Sequence, residues 1–463
     1  MLQQSIAENV LYAALETGGD FADLFVEDKR NTSLTMTGGV VEKALSGRDF
    51  GVGIRILKGD YSVYAFTNDT SEENLIRVAR SAAKSIRSET LNLSIDLRKS
   101  AADNKHQFSV LPNSVEKSKK VEWMKRAHAA AREFDPIITQ TSVFYVDTVQ
   151  DVLIANSEGL FIEDRRFYNR LGVSAMAEKN GEKESAFMGP GSFAGLEYMD
   201  NLNIEAIGRE AAQSAKTILF ADYAPSGNFP VVINNGFGGV IFHEACGHGL
   251  ESVAVSRKAS VFADKVGESV ASPLVTAYDD GTILNTWGSL NIDDEGMPTK
   301  KNLLIENGIL KGYLIDRVGS RKMEMASTGS GRRQNYKYAP TSRMNNTYIA
   351  AGSSTPEEII AATELGIYAK HFEGGSVNPA TSDYNFTVSE AYMIRNGKVA
   401  EPIKGAALIG KGIDTLKKID MVGNDLDLGL GMCGASSGSV PVTVGQPTIR
   451  VSELTVGGRG GNA

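Results

Sequence analysis

The stretch ADYAPSGNFPVVIN, residues 221–234, separates two halves of the chain that differ in composition. It contains two prolines and one glycine, which interrupt regular structure and are frequent in segments that join domains. Beyond it glycine is dense, and runs of β-forming residues dominate. A chain of 463 residues also exceeds what a single core usually supports. We therefore predict an N-terminal domain over residues 1–222 and a C-terminal domain over residues 223–463.

The N-terminal half alternates amphipathic helices with short runs that have the period of a strand. Its first helix is expected to end at Gly18 and Gly19, and strand-like runs separated by glycine turns follow it. A second helix is predicted further on, where Thr70 and Glu73 have the spacing of a capping box. Helix, strands and helix then occur a second time before residue 220. This order predicts helices packed on antiparallel strands.

The C-terminal half is predicted to be mostly antiparallel β. Its apolar runs are joined by compact turns such as ENG (306–308) and RNG (395–397), whose residues favour hairpins. One clear helix interrupts them, with Thr355 as N-cap and Pro356 at the first helical position. The predicted fold class is therefore α+β, with helices on antiparallel strands in the first domain and mostly antiparallel β with a metal-binding helix in the second.

Composition narrows the class of protein. Apolar residues make up 42% and charged residues 22% of the chain, as is usual for globular proteins. No apolar run is long enough to span a bilayer, and the N-terminus has no basic start typical of a signal peptide. The net charge of −8 argues against nucleic acid as a partner. Two cysteines are too few for a disulfide scaffold, which favours a cytoplasmic protein with thiols available for metal.

The segment GVIFHEACGHGLES, residues 239–252, has the residue types of a metal site. It holds two of the five histidines, His243 and His248, and Glu244 directly follows the first. The familiar zinc spacing H-E-x-x-H puts the histidines four residues apart, whereas here they are five apart. On a regular helix that spacing separates the side chains by roughly 140°. We therefore predict a π-type turn, or unwinding near Gly247, if both histidines bind one ion.

The residues alone leave the third ligand open. A catalytic zinc site needs three protein ligands and an open position for water. Glu251 could be a ligand or could orient His248, and Cys246 points to another face of a regular helix. A reading without metal is also open, with His243 in the core and His248 at the end of a helix. The candidates for the third ligand are Cys433, Glu251, His371 and Cys246.

Long runs of sequence resemble a known family. They include HEACGHGLE, GSLNIDDEGMPTKKNLLIENGILKGYLIDR, TGSGRRQNY, VSEAYMIRNGKVAEPIKGAALIG, MCG and VPVTVGQPTIRVSELTVGG. On these runs the chain resembles the TldD/PmbA family of metallopeptidases, also called modulators of DNA gyrase. The resemblance is to the TldD-like branch in particular, since the TldE/PmbA-like branch lacks the histidine motif. It covers nearly the whole chain and is densest over residues 221–463.

The resemblance implies a zinc motif H-E-x-x-x-H with a late cysteine as third ligand. Carried over, His243 and His248 match the histidine ligands, Cys433 matches the cysteine, and Glu244 matches the general base on zinc-bound water. It also implies Zn²⁺ as cofactor, small unfolded peptides as substrates, and a dimer with itself or with a TldE-like subunit. The family commonly continues Leu-Glu-Gly-Asp after the motif, whereas this chain reads LESV (250–253), so the substrate-side edge is expected to differ.

We therefore predict a zinc-dependent peptidase in the cytoplasm, without nucleic-acid or membrane partners. Two rival functions are a non-catalytic partner or peptide-binding subunit of a TldD/TldE-type complex, and a protein with a purely structural metal site. Four residues in or beside TGSGRRQNY are candidates for contacts with the oxyanion or the substrate, although a structural role is the alternative for each. They are Arg332, Arg333, Tyr336 and Tyr338.

Overall fold

A computed structural model describes residues 1–86, 88–89, 94–106 and 108–460, with strands predominating over helices. Among these residues no helix combines the length and the apolar character needed to span a membrane. The helices are α1 (Gln4–Leu15), α2 (Glu72–Ala83), α3 (Lys117–Arg132), α4 (Glu197–Asp200), α5 (Ile204–Leu219), α6 (Val240–Ala245), α7 (Ser252–Val255), α8 (Arg317–Met323), α9 (Pro356–Ala361) and α10 (Gly412–Lys417).

The first half of the chain builds one sheet. Its strand order is β3-β2-β1-β5-β6-β4, with β7 and β8 also paired to β6, and every pairing but the parallel β4–β6 is antiparallel. Helices α1 and α2 pack over one apolar cluster, and α3 and α5 pack over another. The strands are β1 (Phe21–Thr37), β2 (Val40–Lys58), β3 (Tyr61–Thr67), β4 (Arg98–Ala101), β5 (Ile138–Asn156), β6 (Leu160–Lys179), β7 (Glu182–Met188) and β8 (Gly191–Ser192).

The second half builds two larger sheets and a two-stranded one. The strands are β9 (Asp222–Tyr223), β10 (Gly227–Ile233), β11 (Ala277–Asp280), β12 (Lys301–Glu306), β13 (Ile309–Leu310), β14 (Gly331–Arg332), β15 (Thr341–Ser342), β16 (Asn346–Ile349), β17 (Leu365–Asn378), β18 (Asp383–Arg395), β19 (Lys398–Lys404), β20 (Ala406–Lys411), β21 (Ile419–Val422), β22 (Asp427–Ala435), β23 (Gly438–Gln446) and β24 (Ile449–Gly457). Strands β14 and β15 form the small sheet.

The two larger sheets of the second half are mixed, not purely antiparallel. One has the order β17-β10-β24-β20-β18-β19-β9, and because β17 also pairs with β18, five of its strands close into a ring. The other has the order β13-β12-β11-β16-β23-β22. Three pairs are parallel, namely β10–β17, β9–β19 and β16–β23. Helix α6 contacts strands of both sheets, which places the histidine segment at their junction.

Local predictions have mixed outcomes. Both hairpin turns are confirmed, since Asn307 and Asn396 and the glycine after each have positive φ. The capping box of Thr355 is confirmed, but the one predicted at Thr70 is wrong. The N-cap of α2 is Ser71, without a side-chain cap, because its hydroxyl and N–H both donate to the Asp69 carboxylate, at 2.8 and 3.0 Å.

A loop of the second half of the chain forms ion pairs with the first half. The loop lies between β11 and β12, and its acidic side chains pair with arginines on the first sheet. Arg55 donates to Glu295 at 2.7 Å, and Arg166 donates to Asp294 at 2.5 Å. All four side chains are almost completely buried, so the halves share an interior of ion pairs as well as apolar contacts.

Candidate metal centre

The helix that carries His243 is interrupted before His248. Helix α6 ends at Ala245, and Cys246 leaves the helical region with φ −127° and ψ −51°. A 3₁₀ turn then runs over Gly247–Leu250. The prediction that this helix is irregular is confirmed, although the break lies at Cys246 and takes the form of a 3₁₀ turn, not a π-type turn.

Gly247 is needed for space. Its φ is not positive, so the backbone there does not itself require glycine. A Cβ atom at this position would lie 2.1 Å from the sulfur of Met344, a side chain with no exposed surface. The approach of Met344 therefore explains the glycine better than the unusual backbone that we expected.

The break brings two histidines to one cysteine. The Nε2 atoms of His243 and His248 lie 3.4 and 3.3 Å from Cys433 Sγ, and the three possible ligand atoms are all within 4.8 Å of one another. Cys433 comes from β22, where it lies opposite Val440 in the hairpin with β23. Two imidazole nitrogens and one thiolate are a donor set that zinc accepts.

The other third-ligand candidates have different surroundings. Cys246 has no exposed surface and belongs to the apolar core of the second half, where burial strongly raises the pKa of its thiol. His371 lies on β17 with its Nε2 atom 3.9 Å from Glu390 Oε2. Neither joins the group formed by His243, His248 and Cys433.

Electrostatics at the group favour a thiolate. Burial raises the pKa of Cys433, but hydrogen bonds with His243 and His248 outweigh it and lower the pKa to about 4. Burial lowers the pKa of His248, whereas the charge of Glu251 raises it, and the net direction is well upward. A lowered thiol pKa favours the thiolate, which is the form of cysteine that binds a metal ion.

Glu251 and Arg343 connect the two segments that form the group. Glu251 Oε2 lies 3.2 Å from His248 Nδ1, the ring nitrogen that faces away from Cys433. Arg343 has its Nε atom 3.8 Å from Glu251 Oε1, and it also donates to the backbone carbonyl of Cys433 and, at 3.0 Å, to Ser437 Oγ. Sequence reasoning missed Arg343, because a lone arginine in RMNN gives no signal of this role.

His243 is held differently from His248. Its Nδ1 atom is buried and has no hydrogen-bond partner among the described residues. The ring is therefore positioned by the packing of α6, whose Val240, Ile241, Phe242 and Ala245 all lie in the core.

Glu244 lies beside the group and outside it. Its Oε2 atom is 3.8 Å from His248 Nε2, and about a fifth of its side chain is exposed. Burial raises the pKa of its carboxyl, with His243 and His248 opposing that shift. A partly exposed carboxylate next to the ligand atoms can reach a water molecule without itself occupying the ligand set.

The candidates for oxyanion contacts are engaged elsewhere. Arg332 donates to Met344 O at 2.5 Å and to Pro441 O at 2.7 Å. The backbone N–H of Arg333 donates to Asp294 at 2.7 Å. These bonds connect strands and loops of the protein itself. Contact of either arginine with an oxyanion stays a prediction.

The two tyrosines lie at the junction with the first half of the chain. Tyr336 is buried against Phe25 and Ile154, and its N–H donates to Glu27 at 2.9 Å. Tyr338 is half-buried, and its N–H donates within a turn to Asn335 O. A substrate contact for either tyrosine stays a prediction.

The chain matches three successive family models. They are described as PmbA/TldA metallopeptidase domain 1, the central domain and the C-terminal domain, and they match residues 22–86, 111–219 and 226–458. The C-terminal match contains all the residues of the candidate metal centre.

Relatives of similar length agree with these matches. The chain is 38% identical to a metalloprotease TldD homolog of Haemophilus influenzae over 95% of this chain and 93% of that protein. It is 33% identical to a metalloprotease of Methanothermobacter thermautotrophicus, over 96% and 97% of the two chains. The crystal structure of TldE from Thermococcus kodakarensis has the same fold, with a TM-score of 0.78, 19% identity, and 97% and 99% of the two chains covered. The chain therefore belongs to the PmbA/TldD family of metallopeptidases and is similar to its TldD members.

Proposed function

We propose that this chain is a zinc-dependent peptidase in which His243, His248 and Cys433 hold Zn²⁺. The observation that carries the proposal is the convergence of these three ligand atoms within 4.8 Å, from two segments far apart in sequence. Nitrogen and sulfur donors suit zinc, and three protein ligands leave a position for water or substrate, as catalytic zinc sites require.

When bound, zinc would supply a Lewis acid that polarises the substrate carbonyl and lowers the pKa of water toward about 7. Glu244 accepts the proton of the attacking water and donates it to the nitrogen of the leaving amine. Its partly exposed position beside His248 supports this role, because the carboxylate can meet both the water and the peptide. Glu251 acts as a positioning residue by holding the ring of His248 through Nδ1.

We propose small unfolded peptides as substrates. Cys433 lies on β22, which is the outermost strand of its sheet. An extended peptide can bind to such an edge through backbone hydrogen bonds, which tolerate many sequences. A folded protein could not offer its backbone in this way without local unfolding.

Zinc content and peptide cleavage should be measured together on the wild type and Glu244→Gln. We expect equal zinc in both and a loss of cleavage of about 100- to 10,000-fold in the variant, as is typical when a general base is removed. Glu268→Gln is a matched control, since its carboxylate is exposed and outside the site. Cleavage by Glu244→Gln at a rate near that of the wild type would refute the assignment of the base.

The assembly and the compartment are further parts of the proposal. We propose a cytoplasmic dimer, formed either by two copies or with a TldE-like subunit, in line with the resemblance stated above. Light scattering of the purified chain, alone and after coexpression with a TldE-like subunit, distinguishes the two assemblies. A chain that binds zinc but cleaves no peptide in either state would favour the non-catalytic alternative.

A further inference from the structure

A cavity of about 230 Å³ lies where the hairpin of Cys433 meets the first half of the chain. Its wall contains four basic side chains and one acidic side chain, Asp294. It is smaller than the roughly 300–1,000 Å³ of pockets that enclose a drug-sized ligand, so it suits a single residue or one small charged group. The basic side chains are those of Lys29, Arg166, Arg332 and Arg333.

Arg332 carries a buried charge without a counter-ion. Only 2% of the residue is exposed, and within the described part of the chain no carboxylate lies within 4.0 Å of its guanidinium. Its two terminal nitrogens donate to backbone carbonyls, while its Nε atom has no hydrogen-bond partner among the described residues. A buried charge of this kind is costly unless an opposite charge is supplied, and a bound anion would supply it.

The remaining basic groups keep the cavity positive. Arg166 is paired with carboxylates, including that of Asp294 at 2.5 Å. Arg333 is 4.0 Å from the nearest carboxylate, Asp23, and its terminal nitrogens donate to Tyr64 Oη at 3.1 Å and to Asp294 O at 2.9 Å. Lys29 is half-buried on β1, and no hydrogen bond or ion pair to another described residue engages its ammonium group. The wall thus offers the ammonium group of Lys29 as a donor, and its basic side chains outnumber its acidic ones.

The cavity adjoins the candidate metal centre. Met432 and Val440 both line it, and they are the residue before Cys433 and the residue opposite Cys433 in the hairpin. Met432 is half exposed, so this side of the wall is open to a ligand that approaches along β22. A peptide bound along this strand for cleavage would present a nearby residue to the cavity.

We propose that this cavity binds a carboxylate of the peptide substrate, with the ammonium group of Lys29 as donor and the uncompensated charge of Arg332 as an electrostatic attraction. The proposal rests on the proposed peptidase function and adds a preference for an acidic group near the cleaved bond. The carboxylate has two possible sources with the same chemistry, namely the C-terminus of a short peptide or the side chain of Asp or Glu.

Binding of labelled peptides tests the proposal without hydrolysis. Fluorescein-labelled alanine heptapeptides would be titrated by fluorescence polarisation into zinc-loaded and chelator-treated Glu244→Gln. One pair of peptides differs by a free or amidated C-terminus, and a second, amidated pair differs by an internal Glu or Gln. In one of the two pairs, we expect the peptide with the carboxylate to have a dissociation constant about 10-fold lower than its neutral counterpart. A change of this size is typical of a hydrogen bond to a charged group. Equal binding within both pairs would overturn the proposal.

Variants of two lysines show where the carboxylate binds. Lys29→Gln in the Glu244→Gln background should reduce the ratio of the two dissociation constants to near one, whereas Lys43→Gln, at an exposed site on β2, should leave it unchanged. A Lys29→Gln ratio equal to that of the parent would overturn the proposal. The ratio of dissociation constants does not depend on the proposed peptidase activity. If the wild type bound no zinc or cleaved no peptide, the peptidase proposal would be refuted, but this ratio would be unchanged.

Discussion

Replacing Glu251 by glutamine tests whether this carboxylate positions His248 for a metal ion. The substitution keeps the size of the side chain and an oxygen that can accept from His248 Nδ1, now 3.2 Å away. It removes the negative charge that faces both His248 and Arg343. The two effects act on different properties, namely the affinity for zinc and the free energy of unfolding.

The expected loss of zinc affinity is about 10- to 100-fold, the usual result of removing a carboxylate that orients a ligating histidine. The expected loss of stability follows from burial. Only 4% of the Glu251 side chain and none of the Arg343 side chain is exposed, so the substitution leaves a buried guanidinium without its carboxylate. Breaking such a pair costs about 3–5 kcal/mol. We expect a loss of stability near the lower end of this range, about 3 kcal/mol, because Arg343 keeps its bonds to Ser437 and to the backbone of Gly438.

Competition with a chelating fluorophore would give the zinc dissociation constant, and chemical denaturation of the chelator-treated protein would give the stability. Glu268→Gln is the matched control for a change of one exposed charge. The double variant Glu251→Leu, Arg343→Met separates the two effects, since an apolar pair often replaces a buried ion pair without loss of stability. It should recover part of the stability, since the unpaired guanidinium is gone but the carbonyls of Cys433 and Gly438 lose their donor, while its zinc affinity stays low.

This reasoning would be refuted if Glu251→Gln were folded and its zinc affinity were within about twofold of that of the wild type. Removal of a carboxylate that orients a ligating histidine normally lowers the metal affinity much more. Recovery of zinc affinity by the double variant would also contradict it. In that case the loss would have come from the unpaired arginine and not from the orientation of His248.

Three further predictions have defined outcomes. Gly247→Ala should lower the free energy of unfolding by about 1–3 kcal/mol and weaken zinc binding, because the new methyl group overlaps the sulfur of Met344. Chemical denaturation and zinc competition would measure the two effects. Unchanged values of both would contradict the steric argument. Cys433→Ala should abolish tight zinc binding while Cys246→Ala retains it, as metal analysis would report; the reverse result would exchange their roles. Burial raises the pKa of Asp316 from 3.8 to about 6. The folded state therefore binds this proton more tightly than the unfolded state does. The protonated carboxyl contributes its full stabilisation below about pH 4, and this contribution to the free energy of unfolding is lost as pH rises through about 6. Asp316→Asn should raise the free energy of unfolding by up to about 3 kcal/mol at neutral pH and little near pH 4; an equal gain at both pH values would contradict the raised pKa.

Short-range features of the fold were predictable because they depend on residues that are close in sequence. The turns at Asn307 and Asn396 need positive φ, and the cap of Thr355 needs a glutamate three residues later. The same reasoning failed at Thr70, because Asp69 engages the next residue, Ser71, instead. The sequence pattern also predicts two separate strands in FADLFVED (21–28) and SLTMTGGVVEKAL (33–45), because the polar residues 29–32 interrupt the alternation. Pairing with β2 on one side and β5 on the other keeps this segment extended.

The candidate site was predictable to different degrees. The five-residue spacing of His243 and His248 puts them on different faces of a regular helix, so an interruption near Gly247 followed once both histidines were assumed to bind one ion. The choice of Cys433 came from the family resemblance, because nothing in the spacing of residues states which strands meet. Arg332 is basic and close in sequence to other site candidates, but its hydrogen bonds to backbone carbonyls depend on the path of two distant segments.

The construction of the site bears on how a metal would bind. His243 is fixed by a helix whose apolar side lies in the core, and Cys433 is fixed by a hairpin that Arg343 holds through the backbone. Packing in the core and the bond from Arg343 to the backbone of Cys433 therefore position the segments that carry these candidate ligands. Small zinc domains differ, since their ligands converge only when the metal binds and folding is coupled to that event. In this chain the candidate ligands lie on a helix and a hairpin that pack into the large core of the second half, so we expect removal of a bound metal to leave most of the fold intact.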